Sequence, residues 1–327
     1  MRKLLKYCVL SLVVMLGYSC SNEIENIEIL TPYERPAEYY ENLRAYKKTK
    51  HELAFGWFGG WSAIGPNKSR YLVSAPDSMD LISIWGKWYD LTDRQREDMR
   101  TVQEVKGTKV IFTVFAHTIP VEYYPNGEGD VMDDNIPEGV IERYAKALND
   151  SIVKYNYDGI DFDYEPGFGG VGPLINKSNM ERFVREMSKY VGPASGTGKL
   201  LCIDGVPGYL NPGLSELFDY GIVQAYYCTS ASNLQYRFNQ AAAVGWKPEQ
   251  YIFTEDFERL WTTGGENFRD NEGNYMPSLI GMARFQPEQG KKGGFGSYHM
   301  ENEYNHNDNV PYKYMRQCIQ IANPASK

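Results

Sequence analysis

From about residue 50 onward, short apolar runs rich in β-branched and aromatic residues alternate with longer stretches of helical period. Eight runs stand out, at residues 53–58, 81–85, 109–115, 159–164, 200–205, 222–227, 251–255 and 294–298. Strands that alternate with helices build a parallel sheet, and eight of them close it into a barrel. The expected fold is therefore α/β, a single-domain (β/α)8 TIM barrel. Thr92 followed by Gln95 reads as a capping box at a helix start. Residues 178–190 place Met180, Phe183, Val184 and Met187 on one face, residues 137–154 repeat Val140, Tyr144, Leu148 and Ile152, and a last helix is expected over 311–321. The alternative is a doubly wound open sheet with a glycine-rich phosphate turn after its first strand. Gly56, Gly59 and Gly60 lack that GxGxxG spacing. Residues 263–275, rich in glycine, read as a surface loop near the barrel mouth.

The N-terminus follows a different pattern. Arg2, Lys3 and Lys6 precede an apolar run over 7–17, which is too short to span a bilayer, and small Ser19 leads to Cys20. That order resembles a bacterial lipoprotein signal peptide, in which the cysteine at the cleavage point receives the lipid. The resemblance implies a signal peptide over 1–19, a lipidated tether and lead-in over 20–50 with acids at Glu23, Glu25 and Glu28, and the barrel over 51–327. It implies export, membrane contact through a lipid anchor on Cys20, and an outer-membrane or cell-surface location. Gly17-Tyr18-Ser19-Cys20 departs from the usual lipobox because Leu16 sits one position early. An ordinary secretory signal with Cys20 incidental is the competing reading.

A formal charge of −8, made more negative by loss of a cationic leader, argues against nucleic acid as a partner. Beyond the leader, Cys202, Cys228 and Cys318 have no paired spacing, so neither a disulfide framework nor a zinc site is expected.

The fourth run carries the chemistry: Asp158-Gly159-Ile160-Asp161-Phe162-Asp163-Tyr164-Glu165. Side chains alternate along a strand, so Asp161, Asp163 and Glu165 share one face and Ile160, Phe162 and Tyr164 the other. Carboxyls spaced about 6.5 to 7 Å apart at the backbone cannot all ionise cheaply, and at least one proton should be retained. A metal site built from the same acids would call for histidine ligands or calcium-loop spacing. Neither accompanies the run, and no metal or cofactor is expected.

The DxxDxDxE pattern of this segment resembles that of glycoside hydrolase family 18, which comprises chitinases and endo-β-N-acetylglucosaminidases. Members carry it on the fourth barrel strand, and the likeness in pattern covers about residues 50–322. The resemblance implies substrate-assisted, retaining hydrolysis, in which the substrate's own 2-acetamido oxygen attacks the anomeric carbon. Glu165 would then be the general acid and later the base. Asp163 would orient the acetamido N–H, Asp161 would share its proton with Asp163, and Asp158 would be structural.

On the sixth run, alternation sets Gln224 and Tyr226 on one face. The family uses a tyrosine there to hold the acetamido carbonyl, and Gln-x-Tyr resembles the endo-β-N-acetylglucosaminidases rather than chitinases, which usually show Met-x-Tyr-Asp or Met-x-Tyr-Asn. Two departures also point away from chitinases. Thr113-Val114-Phe115-Ala116-His117 lacks Ser-x-Gly-Gly, and Ser297-Tyr298-His299 lacks the customary tryptophan.

Aromatic residues make up 14% of the chain, which suits stacking on sugar faces. Trp57 and Trp85 are the leading candidates to line the sugar pocket, with Trp61, Trp88 and Trp261 behind them. His117 and His299 have no assigned role. The expected activity is cleavage of the chitobiose core of N-glycans, with an N-glycan or other GlcNAc-containing glycan as partner. The alternatives are a chitinase-like hydrolase of GlcNAc polymers and a non-catalytic surface glycan-binding protein.

Overall fold

The computed structural model describes residues 35–306 and 308–324; the leader, Cys20 and the acidic stretch after it lie outside the described residues. The compact unit that holds the barrel begins at Tyr40.

Eight parallel strands close the barrel: β1 (Leu53–Phe58), β2 (Leu81–Ile84), β3 (Lys109–Phe115), β4 (Gly159–Tyr164), β5 (Leu200–Gly205), β6 (Tyr220–Gln224), β7 (Tyr251–Asp256) and β10 (Gly294–Tyr298). Around the ring the order is β1-β10-β7-β6-β5-β4-β3-β2. The flanking helices are α1 (Ala37–Lys47), α2 (Asp93–Thr101), α3 (Val140–Tyr155), α4 (Lys177–Met187), α5 (Ala231–Ala242), α6 (Ser278–Arg284) and α7 (Lys313–Ala322).

The period-2 pattern sorts each strand into two layers. Phe55, Trp57, Leu81, Ile111, Cys202, Ile222 and Ile252 fill the barrel, so it is packed rather than hollow. Their strand neighbours Ala54, Ile82, Val110, Phe112, Ile160, Phe162 and Ile203 face outward against helix residues such as Leu148, Ile152, Met180 and Phe183. The capping box forms as expected, Thr92 Oγ1 accepting from Gln95 N at 3.2 Å and Gln95 Oε1 from Thr92 N at 3.0 Å.

Three aspartates close the floor, where the strands begin. Each precedes an even-numbered strand and accepts the first free N–H of its neighbour: Asp80 from Ala54, Asp158 from Val110 and Asp219 from Leu201, all at 2.9 Å. Asp158 also accepts from Gln103 Nε2 at 2.8 Å and Lys109 Nζ at 3.1 Å. Lys292, buried beneath the barrel, pairs with Glu52. Asn323, just past α7, clips onto β1 from below: its Oδ1 accepts from Glu52 N at 3.2 Å and its Nδ2 donates to Glu52 O at 2.8 Å.

Two expectations change, and the lead-in adds an element of its own. The lead-in contains a helix, α1, whose Lys47 donates to Met79 O and, at 2.9 Å, to Thr108 Oγ1 under the barrel. The stretch 263–275 is not all loop: β8 (Asn267–Arg269) pairs antiparallel with β9 (Tyr275–Pro277). The sixth strand ends at Gln224 and does not reach 227. There Ala225 N donates back to Val223 O at 2.8 Å, and Tyr227 turns into the left-handed region at φ 57°.

Candidate active site

β4 delivers its acids to the mouth as the alternation requires. Ile160, Phe162 and Tyr164 lie in the outer core, while Asp161 and Asp163 point inward and are buried. Asp161 Oδ2 accepts from Trp57 Nε1 at 2.9 Å and from Thr113 Oγ1 at 3.1 Å, and Thr113 shares a 2.7 Å hydrogen bond with Ser83. Glu165 stands one residue past the strand, half-buried at the opening. Gly205 makes room for it. At φ 89°, a Cβ on Gly205 would lie 2.4 Å from Tyr164 O and 3.1 Å from Glu165 Cγ, so no other residue fits.

A fourth carboxyl joins the three. Asp204 on β5 is in register with Asp163 on β4, is fully buried, and accepts from Gln224 Nε2 at 2.9 Å. The cluster holds protons against its surroundings. Burial lifts Asp163 to about 8, helped by the charges of Glu165 and Asp161. Burial also lifts Asp161 to about 6 against hydrogen bonds led by Asp204 and Trp57, and it pushes Asp204 well above the carboxylate range. In the unliganded site the aspartates thus retain at least one proton among them. Tyr226 is pushed well up by burial and then by the charges of Asp204 and Asp163, which keeps its hydroxyl a donor.

Two lobes open beside Glu165. The smaller, a cavity of about 180 Å³, is walled by Trp57, Trp85, Phe115 and Tyr298 and floored by Asp163. Its rings pack edge to face, Trp85 against Tyr298 at 5.2 Å and against Phe115 at 5.4 Å. The larger, about 600 Å³, is lined by Phe168, Tyr209, Tyr227, Tyr236 and Arg237. Glu165, Gln224 and Tyr226 border both. Aromatic walls with a few convergent polar groups suit a ligand that has apolar faces and a polar rim, as pyranose rings do.

Tyr226 reaches this junction through the bend after β6 and not by strand alternation. The bend is held from a distance. Glu255 on β7 accepts the N–H of Tyr227 at 2.9 Å and of Asp256 at 2.8 Å, and takes the Ser278 hydroxyl as well. Tyr227 in turn donates its hydroxyl to Asp256.

The structure thus brings Glu165, Asp163, Asp161, Gln224, Tyr226, Trp57 and Trp85 together. Trp57 serves mainly by its indole N–H to Asp161. The other tryptophans pack elsewhere: Trp61 donates to Asp98 at 2.8 Å, Trp88 stacks on Phe112, and Trp261 meets His306. His117 lies near Glu165, its pKa lowered by burial against that charge. His299 bonds Glu301 at 2.7 Å. Sequence reasoning passed over Asp204, Phe115, Tyr298 and the wall of the larger lobe. The signal for Asp204 was there, a lone acid in the apolar run Leu200-Leu201-Cys202-Ile203. Among the described residues no group of three or more His, Cys, Asp or Glu is placed to hold a metal ion.

The family described as glycoside hydrolase family 18, BT1044-like, matches residues 21–321. Endo-β-N-acetylglucosaminidase F2 of Elizabethkingia meningoseptica is 26% identical over 355 residues, covering 96% of this chain and 97% of that protein. A solved structure of BT1044 with a glutamate-to-glutamine substitution superposes with a TM-score of 0.78 at 34% identity, covering 88% of this chain and 93% of the other. In fold, the endo-β-N-acetylglucosaminidase of Cordyceps militaris, solved with fucosyl-N-acetylglucosamine-Asn, matches with a TM-score of 0.65 at 21% identity, covering 89% and 97%.

Proposed function

Because this chain belongs to glycoside hydrolase family 18 and is a glycosidase, we propose that it is an endo-β-N-acetylglucosaminidase, cutting the chitobiose core of N-glycans by retaining, substrate-assisted hydrolysis. The observation that carries this reading is the junction where Asp163, Glu165, Gln224 and Tyr226 meet between the two lobes.

The smaller lobe has room for about one sugar ring, whose 2-acetamido group faces Asp163 and Tyr226. Glu165 protonates the departing glycosidic oxygen as the acetamido oxygen attacks the anomeric carbon, giving an oxazolinium ion. Asp163 accepts the acetamido N–H and its negative charge stabilises the developing positive one. The Tyr226 hydroxyl donates to the acetamido carbonyl, a bond that strengthens as the oxazolinium forms. Glu165, now ionised, takes a proton from the water that opens the ring, and the original anomeric configuration returns. Trp57 and Thr113 fix Asp161 beneath Asp163. The larger aromatic lobe beside Glu165 receives the leaving GlcNAc and what it carries.

We further propose export and anchoring by a lipid on Cys20. That reading is supported by the basic, apolar and small-residue order of the leader. Labelling with a tagged fatty acid should mark wild type and not Cys20→Ala; unlabelled wild type would refute anchoring.

The activity is tested by mass spectrometry of products from high-mannose, hybrid and complex N-glycoproteins and from chitohexaose. One GlcNAc left on asparagine, with little cleavage of chitohexaose, is the expected result. Ready degradation of chitohexaose with every N-glycoprotein intact would replace this reading with a chitinase.

A further inference from the structure

Asp204 has no part in the reaction as described above, yet it is one of the most enclosed charged groups in the molecule. It sits on β5 opposite Asp163 in register, with no exposed surface. Three buried oxygens of the cluster, Asp161 Oδ1, Asp163 Oδ1 and Asp204 Oδ2, meet no N–H or hydroxyl donor. An unsatisfied buried oxygen is costly, and carboxyls in contact resolve the cost by sharing a proton. Asp204 lies within hydrogen-bonding reach of both Asp161 and Asp163, and these oxygens can be paired only if a carboxyl among them stays neutral.

Which carboxyl keeps that proton follows from the donors around each. Asp161 receives an indole N–H and a hydroxyl, both of which favour its anion. Asp163 opens onto the smaller lobe, where an anion is needed. Asp204 has one donor, the Gln224 amide, and no opening.

We propose that Asp204 is a positioning residue: a carboxyl that keeps its own proton when Asp163 gives one up to meet the substrate, so holding Asp163 in place while fixing the amide of Gln224 at the junction of the lobes. This rests on the mechanism proposed above. The groups that face Asp204 are Asp161 and Asp163 from β4, Cys202 from its own strand, Gln224 from β6 and Tyr226 beyond it. None is a cation. The acids and Tyr226 therefore favour the neutral form of Asp204, and the direction of its shift agrees.

The role makes an unusual demand on substitutions. An amide at this position offers two N–H donors to the Asp161 and Asp163 carboxyls, where the neutral acid offers one O–H, and still accepts from Gln224. Asp204→Asn should therefore keep kcat within about 3-fold of wild type, and its activity should persist to higher pH, because the amide cannot ionise. Asp204→Ala loses its contacts to Asp161, Asp163 and Gln224, and kcat should fall about 30-fold with KM little changed, the size expected if one of them, to a charged group, bears on the reaction. Both variants should be assayed on whichever GlcNAc-containing substrate wild type turns over. A second readout needs no substrate: the infrared difference spectrum of unliganded wild type minus Asp204→Asn at pH 7 should contain a neutral-carboxyl band. An Asn variant as impaired as the Ala variant, or a difference spectrum without that band, would overturn the assignment. Because the infrared band does not depend on turnover, the proton-holding role can fail while the proposed activity stands, or stand while that activity fails.

Discussion

Aspartates stand at both ends of this barrel, and their circumstances are opposite. At the floor Asp80, Asp158 and Asp219 each accept a backbone N–H from the neighbouring strand. At the mouth Asp161, Asp163 and Asp204 crowd together, each with one oxygen that no N–H or hydroxyl reaches. The floor acids complete a ladder that would otherwise begin with unpaired donors. Those at the mouth oppose one another's ionisation and so store protons near neutral pH. The same side chain thus contributes stability where it caps the backbone and chemistry where it meets its own kind.

Substitutions at the two ends should therefore separate rate from stability. The largest effect belongs to Glu165→Gln, which keeps the shape but removes the transferable proton. Turnover should fall by at least about 100-fold while glycan affinity measured by calorimetry survives. Wild-type turnover in this variant would break the contrast at its strongest point. Tyr226→Phe should lower kcat by about 10-fold with KM little changed, since it removes one hydrogen bond made mainly in the transition state. An effect confined to KM would instead place Tyr226 in ground-state binding.

The pH dependence sharpens the comparison further. Asp163 has a folded-state pKa above its unfolded value, so the stability it contributes is complete below the ordinary carboxylate range and is lost as pH rises toward about 8. Urea midpoints of wild type should therefore decline between pH 5 and 8, and Asp163→Asn should flatten that decline while abolishing most activity. A midpoint that rises over the same interval would contradict the crowding of charge at the mouth.

At the floor the pattern should invert. Asp158→Ala strips the partner from Val110 N, Gln103 and Lys109. About 2 kcal/mol of stability should be lost, roughly 4–8 °C in Tm, with kcat unchanged. Loss of activity in a folded Asp158→Ala protein would show that the two ends are coupled.

The barrel was legible in the sequence because its causes are local. Period-2 burial over 109–115, 159–164 and 200–205 and the Thr92 cap act within a few residues of themselves, and those boundaries match. The carboxylate face of β4 was legible for the same reason. What escaped has causes far along the chain. Ala225, Tyr226 and Tyr227 are good strand formers, but Glu255, 28 residues beyond Tyr227, captures its N–H and bends the chain. Residues 267–269 have weak propensity and become a strand only by pairing with 275–277. Trp61 and Trp85 look alike in sequence. One is buried by Asp98, 37 positions away, and the other is left at the mouth beside Tyr298. Asp204 could have been flagged, but its neighbours in space, Asp163 and Gln224, come from other strands.

The clip between Asn323 and Glu52 bears on how the protein should be held on a solid support. Glu52 leads into the start of β1, whereas Glu165 follows the end of β4, so the last described helix finishes at the pole remote from the opening. A resin or sensor chip joined through a linker after this helix would grip that pole and leave the catalytic entrance turned toward the flowing sample. Bulky glycan substrates could then dock without passing through the matrix, provided that the linker begins beyond Asn323 and leaves its two hydrogen bonds intact.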